Sequence, residues 1–247
     1  MAEPIVEAVD LNKSFDANHV LRGVSFTLAK GETLVVMGGS GSGKTVLLRL
    51  VAGLIRPEGG RLRVFGRAIE RLTEEELLPL RRRMGYVFQG AALFDSLSVR
   101  ENVAYPLREH TSLGEAEVEE RVVRNLSVVG LSSDVLDLLP SELSGGMRKR
   151  VGIARALSVE PEMLLFAEPT AGLDPTNSKL VADLMLDLRG GVCDTAMVVT
   201  HDIELARTVA DRVAVLIEGR FAAFGPAERV LSGDDPAVRA FLAGAAK

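Results

Sequence analysis

The sequence predicts an α/β protein: a mixed, largely parallel sheet flanked by helices, with an antiparallel β part and an inserted helical subdomain. Three observations predict it. Short apolar runs, Leu34–Met37, Met84–Phe88, Met163–Phe166 and Ala196–Val199, are separated by longer segments, as strands buried on both faces are. Near the start, Ile5–Phe15 and Val20–Leu28 alternate apolar and polar residues as half-exposed antiparallel strands do. From Ser98 to Ser158 the strand pattern stops and helices take over.

Taken in order, the first strand pair turns at Asp16–Asn18, and Phe15 closes its first member. An aromatic there serves either as edge-strand packing or as a platform for a nucleotide base, because every base has a π face. Leu34–Met37 runs into Gly38, Gly39, Ser40, Gly41, Ser42, Gly43, Lys44 and Thr45, and Val46–Ile55 follows as a helix. This is G-x-x-x-x-G-K-[ST] at a strand-to-helix turn, a phosphate-cradling loop. Glycines let the backbone turn tightly and approach an anion, and the helix start supplies N–H groups and the positive end of a dipole. Lys44 is placed to reach β- and γ-phosphates, and the Thr45 hydroxyl to ligate Mg²⁺.

Arg56–Gly60 is a turn, Arg61–Phe65 a short strand, Leu72–Arg83 a charged helix and Met84–Phe88 another strand. Gln89 ends that strand; beside a phosphate site its amide can touch Mg²⁺ or the attacking water. The helical block is expected at Val99–Arg108, Glu115–Val129 and Ser144–Ser158, broken at Pro106, Gly114, Gly130 and Pro140. Leu143–Met147 (LSGGM) opens the last of these helices: Ser144 is a good N-cap, and Gly145 and Gly146 expose backbone N–H groups, a second anion-binding helix start. The run Arg148–Arg150 is expected on a solvated face.

Met163–Phe166 reads as a central buried strand, followed by Ala167, Glu168, Pro169 and Thr170. A carboxylate at the carboxyl end of such a strand lies where ligands bind in open α/β sheets, and Glu168 can orient or deprotonate a water for attack on a γ-phosphate. Ala171–Asp174 turns into a helix over Asn177–Leu188. Ala196–Val199 is followed by His201, which at a strand end in this sheet can hydrogen-bond a γ-phosphate or the attacking water. Val213–Ile217 and Arg220–Phe224 read as a hairpin, with short helices at Ala227–Leu231 and Pro236–Leu242.

At 247 residues the chain can bury a substantial core. A net charge of −5 and a pI near 5.4 give no basic footprint, so no nucleic-acid partner is expected. The single Cys193 cannot form an internal disulfide, which suits a reducing compartment. No apolar stretch approaches the ~20 residues of a membrane span, and Met1–Asp10 lacks a signal peptide's basic and apolar regions. The expected location is cytoplasmic, with any membrane role exercised through a partner.

Together, Phe15, the Gly38–Thr45 loop, Gln89, Leu143–Met147, Glu168, the Ala171–Asp174 turn and His201 make the chain resemble the nucleotide-binding subunit of an ABC transporter, from about Ile5 to Leu242. The resemblance implies a P-loop NTPase core at residues 1–88 and 161–247 and a helical subdomain at 89–160. It also implies a head-to-tail homodimer closing on two ATP molecules, each between one chain's phosphate loop and the other's Ser144–Gly146. Asp174 joins the nucleotide-binding residues, and Thr45 and Gln89 the Mg²⁺-binding ones. Membrane permease subunits from other chains would seat it on the cytoplasmic face of the inner membrane. A narrower resemblance lies in Gly90–Thr111 and in Met147, where most relatives have glutamine. Both are similar to the Mla/MCE-type ATPases, which move phospholipids or other hydrophobic molecules and work with an MCE-domain protein; amino-acid importer ATPases share the scaffold. The family docks its membrane partner in the Gln89–Pro106 region, so Leu93, Phe94 and Leu97 are either contacts for it or subdomain core. The chain departs from the family at Ala167, where an aspartate normally supports Mg²⁺ through a bound water, so impaired hydrolysis is expected. The other reading is an ATP-binding regulatory partner that hydrolyses little.

Overall fold

The computed structural model describes residues 4–233 and 235–245. In chain order its elements are β1 (Val6–Phe15), β2 (Asn18–Leu28), β3 (Thr33–Met37), α1 (Lys44–Val51), β4 (Gly59–Val64), β5 (Arg67–Ala68), α2 (Glu74–Arg81), β6 (Met84–Val87), α3 (Val99–His110), α4 (Glu115–Val128), α5 (Gly145–Leu157), β7 (Met163–Ala167), α6 (Pro175–Arg189), β8 (Ala196–Thr200), α7 (Ile203–Val209), β9 (Arg212–Ile217), β10 (Arg220–Pro226), α8 (Ala227–Leu231) and α9 (Pro236–Ala245). They fall into two compact units, Met1–Arg81 with Asp194–Lys247, and Arg82–Cys193.

In the first unit β1 and β2 pair antiparallel from Val6 opposite Leu28 to Phe15 opposite Asn18, and β4 lines the other edge of β1. The order is β2-β1-β4-β5. Val6, Ala8 and Leu11 are buried between more exposed neighbours, the alternation seen in the sequence. The same unit sets β3 parallel between β8 and β9, with Met37 opposite both Thr200 and Val215, and β10 returns antiparallel along β9. All five residues of β3 and all five of β8 are buried. A strand covered on both faces carries no polar alternation, which is why these runs are unbroken.

In the second unit β6 and β7 run parallel from Met84 opposite Met163 to Val87 opposite Phe166. Helices α3, α4 and α5 pack on one another. Val99, Val103 and Leu107 of α3, Val122 and Leu126 of α4, and Val151, Ile153 and Leu157 of α5 are all buried there. Helix α3 opens with a reciprocal cap: Glu101 N donates to Ser98 Oγ at 3.2 Å, and Ser98 N to Glu101 Oε2 at 2.8 Å.

Three expectations need correction. Pro106 does not break α3, which continues to His110; proline forfeits one backbone hydrogen bond, and a helix packed along its length can absorb that. The helix placed at Asn177 begins at Pro175, because Asp174 is its N-cap and proline's fixed φ suits the first helical position. Helix α7 was not anticipated: Asp202 caps it by accepting from Leu205 N at 3.0 Å.

Candidate nucleotide-binding site

The first unit carries the phosphate loop, between the end of β3 and the start of α1. Its outer glycines are fixed by close main-chain and side-chain neighbours. A Cβ on Gly38 would lie 2.4 Å from the Leu216 carbonyl oxygen and 2.5 Å from Ser42 Oγ. Gly43 has φ +104, and a Cβ there would meet Leu21 Cδ2 at 3.0 Å and the Val20 carbonyl oxygen at 3.1 Å. No side chain caps α1, whose N-cap is Gly43 itself. Helices α3, α5, α6 and α7, by contrast, have their first turns met by Ser98, Ser144, Asp174 and Asp202. An uncapped helix start with its dipole unopposed is an anion site.

Two side chains match that reading. Lys44 is buried, and its ammonium donates to the carbonyls of Gly38 at 2.8 Å and Gly39 at 3.1 Å, so the cation is held inside the loop. Ser42 Oγ is buried with no hydrogen-bond partner, an orphan that an anion's oxygen would satisfy. Ser40, Gly41 and Thr45 are exposed. His201 directly follows β8, whose last residue, Thr200, lies opposite Met37. Gly38 and His201 therefore leave neighbouring strand ends, and His201 is exposed. Phe15 lies at the β1–β2 hairpin, 46% exposed, with Lys13 Nζ 5.0 Å from its ring centre. Its face is therefore not packed into the core.

The second unit carries the other groups, and a residue assigned by sequence to solvent joins two of them. Lys149 is only 5% exposed, so the run Arg148–Arg150 does not lie on a solvated face as a whole. Its Nζ donates to the Gln89 carbonyl and, at 3.2 Å, to the Glu168 carbonyl. Burial pulls the Lys149 ammonium below the usual lysine range, and the Glu168 carboxylate pushes it back up. The missed signal was the stripe Gly146, Lys149, Ile153 and Ala156, all buried at spacings of three and four. Glu168 is itself buried and has φ 48, a left-handed conformation that costs an L-residue roughly 1–2 kcal/mol. Gln89 is exposed. Ala167 is the last residue of β7, 5% exposed, and its methyl offers no oxygen to a cation or its water.

Ser144 caps α5 by accepting from Met147 N at 3.2 Å, and Ser144 and Gly145 are exposed. Gly146 is buried, and a Cβ on it would lie 2.5 Å from Asn177 Oδ1. Asn177 in turn donates through Nδ2 to Asp174 Oδ2 at 2.5 Å. This gathers Gly146, Asn177 and Asp174, and the hydrogen bonds from Asn177 hold the Asp174 carboxyl below its usual range. Among Leu93, Phe94 and Leu97, Phe94 is the exposed one, paired with Tyr105 at 5.0 Å between ring centres. Among the described residues no group of three or more histidine, cysteine or acidic side chains could hold a metal by itself, and no helix is long and apolar enough to cross a membrane.

A glycine loop between a buried parallel strand and an uncapped helix, with a lysine folded into it, defines a nucleotide-phosphate-binding protein of the P-loop class. The sequence profile of the ABC transporter family matches residues 21–171, and the chain belongs to that family. It is 41% identical over 239 residues to the probable ribonucleotide transport ATP-binding protein mkl of Mycobacterium tuberculosis. That match covers 97% of this chain but 66% of the relative, so the chain spans just under two thirds of the mycobacterial protein's length. It is 37% identical over 249 residues to the intermembrane phospholipid transport system ATP-binding protein MlaF of Escherichia coli, covering 100% of this chain and 92% of that one. Among solved structures, the dimeric post-hydrolysis ATP-binding cassette MJ0796 bound to ADP and Pi superposes with a TM-score of 0.82 at 30% identity, over 90% of this chain and 98% of that one. Similarly, cbiO1 from Clostridium perfringens, part of the ABC transporter complex cbiONQ, gives 0.85 at 31% identity, over 93% and 91%.

Proposed function

We propose that the chain is the ATP-binding and hydrolysing subunit of an ABC transporter that moves phospholipids or other hydrophobic molecules. The observation that carries the nucleotide reading is the phosphate loop: α1 uncapped, Lys44 drawn onto the Gly38 and Gly39 carbonyls, and Ser42 Oγ buried without a partner. The likeness to MlaF supports the substrate class, and the dimeric cassettes support a homodimer. In this reading residues 1–88 and 161–247 form the ATP-binding core and 89–160 a helical subdomain. The loop residues Gly38–Thr45 bind the phosphates and Phe15 stacks on the base. Ser144, Gly145 and Gly146 complete the nucleotide site of the partner copy, and Asp174 joins the nucleotide-binding residues. Glu168 activates the attacking water, with His201 and Gln89 positioning it. Thr45 and Gln89 would offer oxygen ligands to the Mg²⁺ that accompanies ATP, hard donors of the type that ion prefers. Transmembrane permease subunits, with an MCE-domain protein in the same system, hold the chain at the cytoplasmic face of the inner membrane.

Ala167 favours a second reading, an ATP-binding partner that closes on nucleotide with little turnover. Loss of a group that holds a metal's water costs about 10–100-fold in metal affinity or activity. Steady-state phosphate release separates the two readings. The transport-ATPase reading expects Ala167→Asp to raise the rate about 10–100-fold. A rate still at background with aspartate restored, alongside intact ATP binding, leaves the regulatory reading in its place.

A further inference from the structure

The structure has a contact that the proposed chemistry does not use. The side chain of Lys149, in the second turn of α5, enters the interior of its unit and bonds the main chains of two separate segments, at Gln89 and at Glu168. A buried ammonium needs several acceptors to offset lost hydration, and both described here are peptide carbonyls. Both hydrogen bonds go to main-chain oxygens, not to the Gln89 amide or the Glu168 carboxylate.

The Gln89 contact is the first of three along one stripe of α5. Three residues on, Gly152 lets Ala91 pack closely, since a Cβ there would lie 3.1 Å from Ala91 Cβ. Three further on, Arg155 donates to the carbonyls of Ala92 and Ala91, each at 2.8 Å. Ala91 and Ala92 have φ 62 and 48, so this segment holds two left-handed alanines. The Glu168 contact is comparable: its carbonyl, at a left-handed residue, accepts both Lys149 Nζ and Ala171 N, each at 3.2 Å. Strained backbone persists where surrounding contacts over-determine it; Lys149 bonds one left-handed residue, Glu168, directly, and Gln89, two residues before the left-handed Ala91 that Gly152 and Arg155 hold.

We propose that Lys149 is a positioning residue for ATP hydrolysis, an ammonium clamp on α5 that fixes the main chain at Gln89 and at Glu168 relative to one another. This rests on the reading of Gln89 and Glu168 as groups that serve the attacking water. Because Lys149 rides on the helix that Ser144 caps, the clamp also ties both segments to the exposed end of α5.

The test uses the full chain and two substitutions. Lys149→Met keeps the length and apolar stem but removes every donor; Lys149→Gln keeps an amide donor without the charge. Amide hydrogen exchange is read on peptides covering residues 88–92 and 168–171, and on α5 as the internal reference. Lys149→Met is expected to speed exchange in both peptides about tenfold or more while α5 is unchanged, because removing a buried contact lowers local opening free energy. Lys149→Gln is expected to recover most of that protection. On an Ala167→Asp background, Lys149→Met is expected to lower kcat about tenfold or more with KM for ATP within about twofold, the signature of a group that acts on the chemical step. The proposal is overturned if exchange in both peptides matches the parent. It is also overturned if α5 and the whole unit lose protection together, with Lys149→Gln no better than Lys149→Met. Failure of the parent chain to bind ATP would overturn the functional reading instead, while the exchange measurements would still report on the clamp.

Discussion

Replacing Gly38 by alanine tests whether the phosphate loop is moulded by its neighbours. The added methyl would meet the Leu216 carbonyl oxygen at 2.4 Å and Ser42 Oγ at 2.5 Å, both about 1 Å short of the 3.4 Å at which ordinary contact begins. Ser42 can rotate away, but Leu216 O belongs to β9, whose backbone pairs with β3 and β10. Overpacking of a site that cannot yield costs toward the upper end of about 1–3 kcal/mol. Alanine recovers about 0.4–1 kcal/mol by restricting the unfolded chain. The net expectation is about 2 kcal/mol of destabilisation, a fall in Tm of roughly 4–8 °C for a chain of this size. Gly39, one residue on, is the control: nothing lies within 4 Å of its Cβ position and it has no positive φ, so Gly39→Ala should leave Tm unchanged or slightly raised. Differential scanning calorimetry on the three proteins decides it. Equal Tm values for Gly38→Ala and Gly39→Ala would refute the reasoning, because the two differ in the loop chiefly by that carbonyl.

Two further outcomes follow from the same geometry. Lys44→Ala should weaken ATP binding at least about tenfold to a hundredfold by isothermal titration, since a charge-assisted hydrogen bond is worth roughly 1.5–3 kcal/mol; an affinity near that of the parent would contradict its role. Gly146→Ala should cost about 1 kcal/mol in urea unfolding by displacing Asn177 from Asp174 Oδ2. On an Asn177→Ala background most of that cost should vanish, because the two residues are in contact and their effects couple.

The sequence makes the strands legible because burial on both faces leaves an apolar run with few alternatives. β3, β7 and β8 each match their predicted runs to within one residue. The phosphate loop is legible for a related reason: glycine placement, lysine and the flanking strand and helix all point the same way. At two of the places where the reading failed, Pro106 and Lys149, a non-local contact decided the outcome. Pro106 looked like a helix terminus because proline is judged by the hydrogen bond it forfeits, whereas α3 is held along its length by Val99, Val103 and Leu107 in the core. Lys149 looked solvated because it stands between two arginines. Its acceptors lie 60 residues before it and 19 after it, and no local pattern reports them. Helix α7 is only seven residues long, too short for periodicity to outweigh the polar start at His201 and Asp202.

The way Gly38 and Gly43 are held has a consequence for how this chain can vary. Gly38 is pressed hardest by the carbonyl oxygen of Leu216, which is the same atom whatever side chain residue 216 carries, whereas Gly43 meets the side chains of Leu21 and Val20 as closely as the Val20 carbonyl oxygen. At Gly38 the loop's shape is thus insulated from the identity of residue 216, provided its strand keeps its register, while at Gly43 it depends on the side chains at 20 and 21 as well. A saturation scan should therefore be sharply uneven: near-total intolerance at the two glycines, a broad acceptance of apolar residues at 216, and a narrower one at 20 and 21, whose side chains touch the loop. Function and packing are superimposed at Gly38 itself, but residue 216 carries only the packing of its own side chain, so the two constraints can be measured apart there.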